Sequence, residues 1–199
     1  MIEIGHFNTL TIKSNNGTQL HLDGGEYDDI LLTDKHLPRD AKIGDTLNVF
    51  IYTGSDAEIL ATCKKPFVQM DGVAWLKVIS IGRAGAFLDW GVAKDLLVPF
   101  SEQDYELEEN NFCLVKVYLD EQNRIAASIY LNHYISDEAH YLHEGDEVSL
   151  IIAGKTDLGF KAVVNENFWG ILYHNEVFQP LREGQKLTGY IKKIREDNK

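Results

Sequence analysis

Nine pairs of identical residues at one constant spacing constrain this chain more than any single motif does. Leu10/Leu76, Leu22/Leu88, Asp23/Asp89, Asp29/Asp95, Leu31/Leu97, Val49/Val115, Tyr52/Tyr118, Ile59/Ile125 and Ala61/Ala127 each lie 66 positions apart, with no gap needed to keep the register. The identities fall mostly on apolar positions, as two copies of one fold require. A third copy follows at a spacing of 74, through Leu76/Leu150, Gly85/Gly159 and Glu102/Glu176, and the same shift lays Leu97 and Val98 on Ile171 and Leu172. Within each copy β-branched and aromatic residues alternate with polar ones and turn residues interrupt them, so the segments read as short strands.

In the second copy strands are predicted over Trp75 to Ile81, Ala86 to Leu88, Leu96 to Pro99, Phe112 to Leu119 and Arg124 to Ser128. Gly82 to Gly85 joins the first pair and Asp120 to Asn123 the last, both with tight-turn chemistry. The polar stretch Ser101 to Asn111 has room for a short helix. Five strands with that insertion match the size and layout of an OB-type barrel, whose closure removes exposed edges. The chain therefore reads as all-β: three tandem five-stranded OB-type barrels over 1–65, 66–135 and 136–199. The joints, Lys64 to Pro66 and Ser136 to Gly145, are not Gly/Ser-rich, which predicts barrels packed in a fixed order. At the end of the chain the repeat demands a fifth strand at 198 to 202, beyond a turn expected at Glu196, Asp197 and Asn198. The third barrel is thus expected to lack its last strand and the chain to be part of a longer protein. A neighbouring chain should fill the gap, or else the third copy should be the least ordered.

Composition narrows the function. Hydrophobic residues make up 44% and charged residues 25% of the 199, which is ordinary for packed domains. No apolar run approaches the roughly 20 residues that cross a bilayer, and Met1 to Phe7 carries no leader signature, so no membrane is expected and the cytoplasm is the predicted compartment. Cys63 and Cys113, within apolar runs in equivalent parts of two repeats, read as buried free thiols. The net charge of −12 opposes a basic nucleic-acid binder, because phosphate affinity comes mainly from Lys and Arg. Its distribution is uneven: basic and acidic residues number 6 and 10 in 1–65, 5 and 10 in 66–135, and 8 and 11 in 136–199. The last segment ends in a basic strip with Arg182, Lys186, Lys192, Lys193, Arg195 and Lys199.

ISIGRAGAFLDWG at Ile79 to Gly91, followed by DLLVPFSEQ at Asp95 to Gln103, resembles the RNA-binding domain named after ribosomal protein S-one. Gly85, Ala86, Phe87, Leu88 and Asp89 match that family's second strand, and Leu97, Val98, Ser101 and Glu102 its third. Pro99 stands where the family usually has a histidine, which removes one polar contact to RNA. The order of the three copies, with FLDWG in the second and GYIKKIRED closing the third, resembles the conserved virulence factor B family across the whole chain. That resemblance implies a bacterial RNA-binding protein with three such domains and a following winged helix, which this sequence does not contain.

An exposed aromatic on a barrel face stacks on any base, so Phe87 is the first candidate for single-stranded RNA. If Ala86 and Leu88 point into the core Phe87 points out; the opposite parity buries it. His21 holds the equivalent place in the first copy and Lys161 in the third, where a shift of one residue presents Phe160 instead. Trp90 is either a rim aromatic or, as preferred, a plug against a neighbouring barrel. Tyr173 falls at the family's histidine position and either reaches a nucleotide or pairs across strands with Trp169. Arg83 and Arg124 flank the face of the second copy, and Lys192 and Lys193 are placed on the fourth strand of the third.

No catalytic pattern competes with this. His140, His143 and Glu144 form an HxxHE stretch in a joint, without a third ligand at zinc-like spacing. The acidic run Glu102 to Glu109 lacks the glycine-centred loop of a calcium site. No phosphate loop or nucleophile elbow is present. The expectation is a binding protein without cofactor or metal, its partner single-stranded RNA; the rival is an OB-barrel scaffold for protein partners, which the acidic charge favours.

Overall fold

The structure, a computed structural model, describes residues 1–17, 19–34, 40–139 and 141–194. It is all-β, with four single-turn 3-10 helices and no α-helix among the described residues. The first unit comprises β1 (Phe7–Asn15), β2 (Leu20–Asp23), β3 (Asp29–Leu32), β4 (Thr46–Thr53) and β5 (Ile59–Thr62). The second comprises β6 (Val73–Ile81), β7 (Gly85–Asp89), β8 (Leu96–Pro99), β9 (Phe112–Leu119) and β10 (Ile125–Ser128). In the third are β11 (Glu147–Lys155), β12 (Gly159–Val164), β13 (Phe168–Tyr173) and β14 (Lys186–Tyr190).

The three units repeat one register. The first strand of each carries a β-bulge, between Ile12 and Ser14, Val78 and Ser80, and Ile152 and Gly154, positions related by the same 66 and 74. An extra residue bends and twists the strand, which lets it serve both halves of a small barrel. Phe87 pairs with Ser80 and Leu97 where His21 pairs with Ser14 and Leu31. Lys161 pairs with Gly154 and Ile171 at the matching place. Gly85 and Gly159 sit where the second strand meets the carbonyl of Val98 or Leu172 so closely that a Cβ would collide with backbone. Only glycine fits such an approach.

The seams of the barrels differ. In the first unit β3 and β5 pair in parallel, Leu31 with Leu60 and Leu32 with Ala61, and the Thr33 N–H donates to the Ala61 carbonyl at 2.9 Å, which closes the barrel. The residue equivalent to Thr33 is Pro99, which has no N–H to give. No ladder forms between β8 and β10; the strands lie side by side until the Ile129 N–H donates to the Glu102 carbonyl at 3.1 Å. The third unit has four strands among the described residues, in the order β13-β12-β11-β14. The turn expected at Glu196 to Asn198 lies outside the described residues, as does His140.

Two strands buried on both faces, β4 and β9, join the units. On β4, Val49 and Ile51 enter the first core, while Phe50 and Tyr52 turn outward into the apolar cluster of the second unit. Trp90 meets Phe50 edge-on at 5.5 Å and donates its indole N–H to the Lys94 carbonyl at 2.5 Å. It is the plug between barrels. The Lys94 ammonium in turn donates to the Thr53 and Gly54 carbonyls at 2.8 and 2.5 Å. On β9, Leu114 faces outward and packs with Val73 and Trp75 onto Ile151, Val163 and Trp169. Buried Lys116 donates to the Glu166 carbonyl at 3.1 Å beside it.

Four expectations need correction. The insertion after β8 holds only a 3-10 turn, Phe100–Glu102, because its alternating carboxylates give no apolar stripe for a helix to bury. Cys63 is exposed just past the end of β5, where the chain leaves the first barrel, whereas Cys113 is buried in β9. Lys192 and Lys193 lie beyond β14, where the chain bonds the Gly145–Asp146 turn through Ile191 instead of continuing the ladder with β11. Tyr173 and Trp169 share β13, so they are not cross-strand partners; Tyr173 pairs with Gly159 and Trp169 with Val163.

Candidate functional site

The outer face of β6, β7 and β8 collects the features expected of a binding surface. Ala86 and Leu88 are fully buried, so the pleat turns Phe87 to the outside, where it remains half-buried. Its ring lies over Gly82 in the β6–β7 turn, at the space a side chain there would fill. That turn is closed by the Gly82 N–H donating to the Gly85 carbonyl at 2.9 Å, and exposed Arg83 stands at its tip, without an ion pair among the described residues. Around Phe87 the surface is apolar: Ile79, the extra residue of the bulge, is exposed, Leu97 is half-buried across the ladder, and Phe100 is exposed just after β8. Sequence reading missed Ile79, Leu97 and Phe100, because a bulge shifts parity by one residue and leaves no local signal.

Carboxylates stand at both ends of this face. At the Arg83 end the turn itself carries none, but Glu109 Oε1 accepts from the Ile81 N–H beside it at 3.2 Å. At the far end Asp89 and Asp95 lie together, and burial first, then the Asp89 charge, raises the Asp95 pKa above the usual carboxylate value. Arg124 belongs to that far end. Its guanidinium makes two bonds to Asp120, at 2.9 Å from Nε and 2.8 Å from Nη2. Burial works against the Asp120 charge, but the hydrogen bonds from Arg124 hold its pKa below the usual value. Arg124 therefore closes its own hairpin, and the structure does not bring it to Phe87.

The equivalent places in the other units are differently occupied. His21 is half-buried on β2, next to a Lys13–Asp29 ion pair at 2.6 Å in an acidic neighbourhood of Asp23 and Asp28. Lys161 points outward, yet its ammonium lies 3.7 Å from the Trp169 ring centroid and 3.5 Å from Asn132 Oδ1. Burial lowers its pKa, with the Asp137 charge opposing. It is a packed junction cation. Phe160 is on the core side, at the place of Ala86, and is half-buried against His174 with ring centroids 5.9 Å apart. Tyr173 is 42% exposed at the end of β13. Lys192 pairs with Glu176, while Lys193 is exposed.

Among the described residues no three His, Cys, Asp or Glu side chains gather as a metal site, and no helix is long and apolar enough to cross a membrane. The barrels and their repeated register define a class: tandem S1-type OB domains. A family profile described as "S1 domain" matches residues 4–64, the first unit, although the FLDWG signature lies in the second. Over 199 aligned residues the chain is 25% identical to "Uncharacterized protein YitL" of Bacillus subtilis, covering 95% of this chain and 66% of that one. It is 22% identical to "Conserved virulence factor B" of Staphylococcus aureus over 175 residues, 80% of this chain and 56% of the relative. The chain is thus similar to the conserved virulence factor B proteins over most of its length. It spans between about half and two thirds of the length of these relatives. A solved structure described as a multidomain protein with nucleic acid binding domains from Streptococcus pneumoniae has the same fold, with a TM-score of 0.57 at 17% identity, covering 98% of this chain and 71% of that one.

Proposed function

We propose that this chain binds single-stranded RNA in the cytoplasm, as a binding protein rather than an enzyme, and serves post-transcriptional regulation. The observation that carries the reading is Phe87, turned outward between buried Ala86 and Leu88 with Arg83 in the adjoining turn. A base stacks on Phe87 and its apolar surround, and Arg83 meets a phosphate. Tyr173, with Lys193 beyond β14, offers a weaker contact on the third unit; His21, Lys161 and Arg124 contribute little, being half-buried or already paired. The S1-domain match and the nucleic acid binding domains named for the Streptococcus pneumoniae structure support this reading.

Fluorescence anisotropy with a labelled single-stranded RNA, at low and moderate salt, tests it. Binding should weaken as salt rises, since phosphate contacts release counterions. Phe87→Ala should cost about 1 to 3 kcal/mol of affinity. The net charge of −12 favours the second reading, a protein-binding scaffold. Absence of binding at low salt would leave that one standing.

A further inference from the structure

A cleft of about 380 Å³ opens where the second unit meets the third, with Asn110 and Asn111 of its lining bonded to Val78 at the β6 bulge. Its wall is aromatic. Trp75 is held between the units: the backbone of Gly184, at φ +75, lies against the indole where any side chain would collide with it. The ring of Phe112 runs nearly parallel to the indole, at 9° and 6.4 Å between centroids. Phe112 and Tyr105, both lining the cleft, keep 50% and 54% of their surface exposed. These rings therefore offer accessible faces on a rigid support.

Its rim is acidic. Glu106 and Glu108 come from the segment before β9 and Glu183 from the segment before β14, so the carboxylates are supplied by two units. Among the described residues no Lys, Arg or His lines the cleft; Lys77 is cross-strand from Phe112 but outside the lining. Burial first, then the proximity of Cys113, Asp104 and Glu183, pushes the Tyr105 phenol up to about 12. An aromatic face attracts a cation by its quadrupole, and nearby carboxylates add directed partners. Phosphate is repelled by the same groups, so a nucleic acid backbone is a poor occupant. Guanidinium, planar and weakly hydrated, suits a flat ring with carboxylates at its edge better than ammonium does.

We propose that this cleft binds an arginine side chain of a basic segment of a partner protein. The charge of −12 then draws that segment from a distance, and the junction of two units reads it. This site does not depend on RNA binding.

The test uses the full chain and a short labelled peptide with one central arginine, beside the same peptide with citrulline, which keeps the shape and loses the charge. The arginine peptide should bind saturably and the citrulline peptide about tenfold more weakly, the scale of one desolvated cation on an aromatic face. Glu106→Gln with Glu183→Gln should weaken the arginine peptide by a similar factor, and Phe112→Ala should do the same without touching any charge. A control pair, Glu26→Gln with Asp157→Asn, removes two exposed charges elsewhere and should leave affinity nearly unchanged. Equal affinity for the two peptides, equal loss in the control pair, or no saturation up to about 1 mM would each overturn the proposal.

Discussion

Phe87 and Lys161 occupy one place in two copies of the same barrel, and what surrounds them decides what each can do. Phe87 lies over a glycine at the edge of an open face, whereas Lys161 is covered by Trp169 and Asn132 of the unit junction. The outward parity of Phe87 was favoured by its small neighbour Ala86 in the sequence, whereas that of Lys161 stayed open against Phe160. The cover over Lys161 was not legible, since Trp169 and Asn132 come from other segments. Being half-buried, Phe87→Ala should lower stability by less than the roughly 3 to 5 kcal/mol of a core phenylalanine, a difference that urea denaturation resolves. Cys113 gives a second measurement at this scale. Burial pushes its thiol from 9.0 up to about 12, so the folded chain keeps a proton that the unfolded chain loses above pH 9. Its contribution is fully present below pH 9 and is lost as pH rises toward 12. Denaturation of Cys113→Ala should therefore show a shallower loss of stability over that range than the parent, whatever its stability at neutral pH.

At the scale of elements, tight turns and strand order were readable because glycines and aspartates mark them, and the five strands of the second copy lie within two residues of their predicted bounds. The seam was not readable. A single proline at the place of Thr33 leaves β10 paired only with β9, while β5 is paired on both sides. Hydrogen exchange should therefore run faster in β10 than in β5, and equal protection would contradict the open seam. Gly159 supplies the complementary test. Gly159→Ala would put a Cβ against the Leu172 carbonyl and force β12 from β13, at an expected cost of about 1 to 3 kcal/mol in chemical denaturation.

For the whole molecule the governing contact is between units. Trp90→Ala should remove the ring that fills the space against Phe50 and cost about 3 to 5 kcal/mol. Because Phe50 and Tyr52 share one cluster with the second core, the loss should appear in the unfolding of both barrels, followed by probes in each. Sequence periodicity could not reveal this: β4 keeps the pattern of its equivalent strand β9, and nothing local says that its outer face meets another barrel. The Phe50–Tyr52 pair also bears on inheritance. Lys64 to Pro66 is the joint at which an exchange of one barrel for another would be cut, yet two large rings on its near side complete the hydrophobic interior on its far side. A recombinant joined at Pro66 would carry a foreign surface into a cavity shaped for phenylalanine and tyrosine. The heritable module at this end of the chain is the pair of barrels, and a viable crossover must keep Phe50, Tyr52 and Trp90 together.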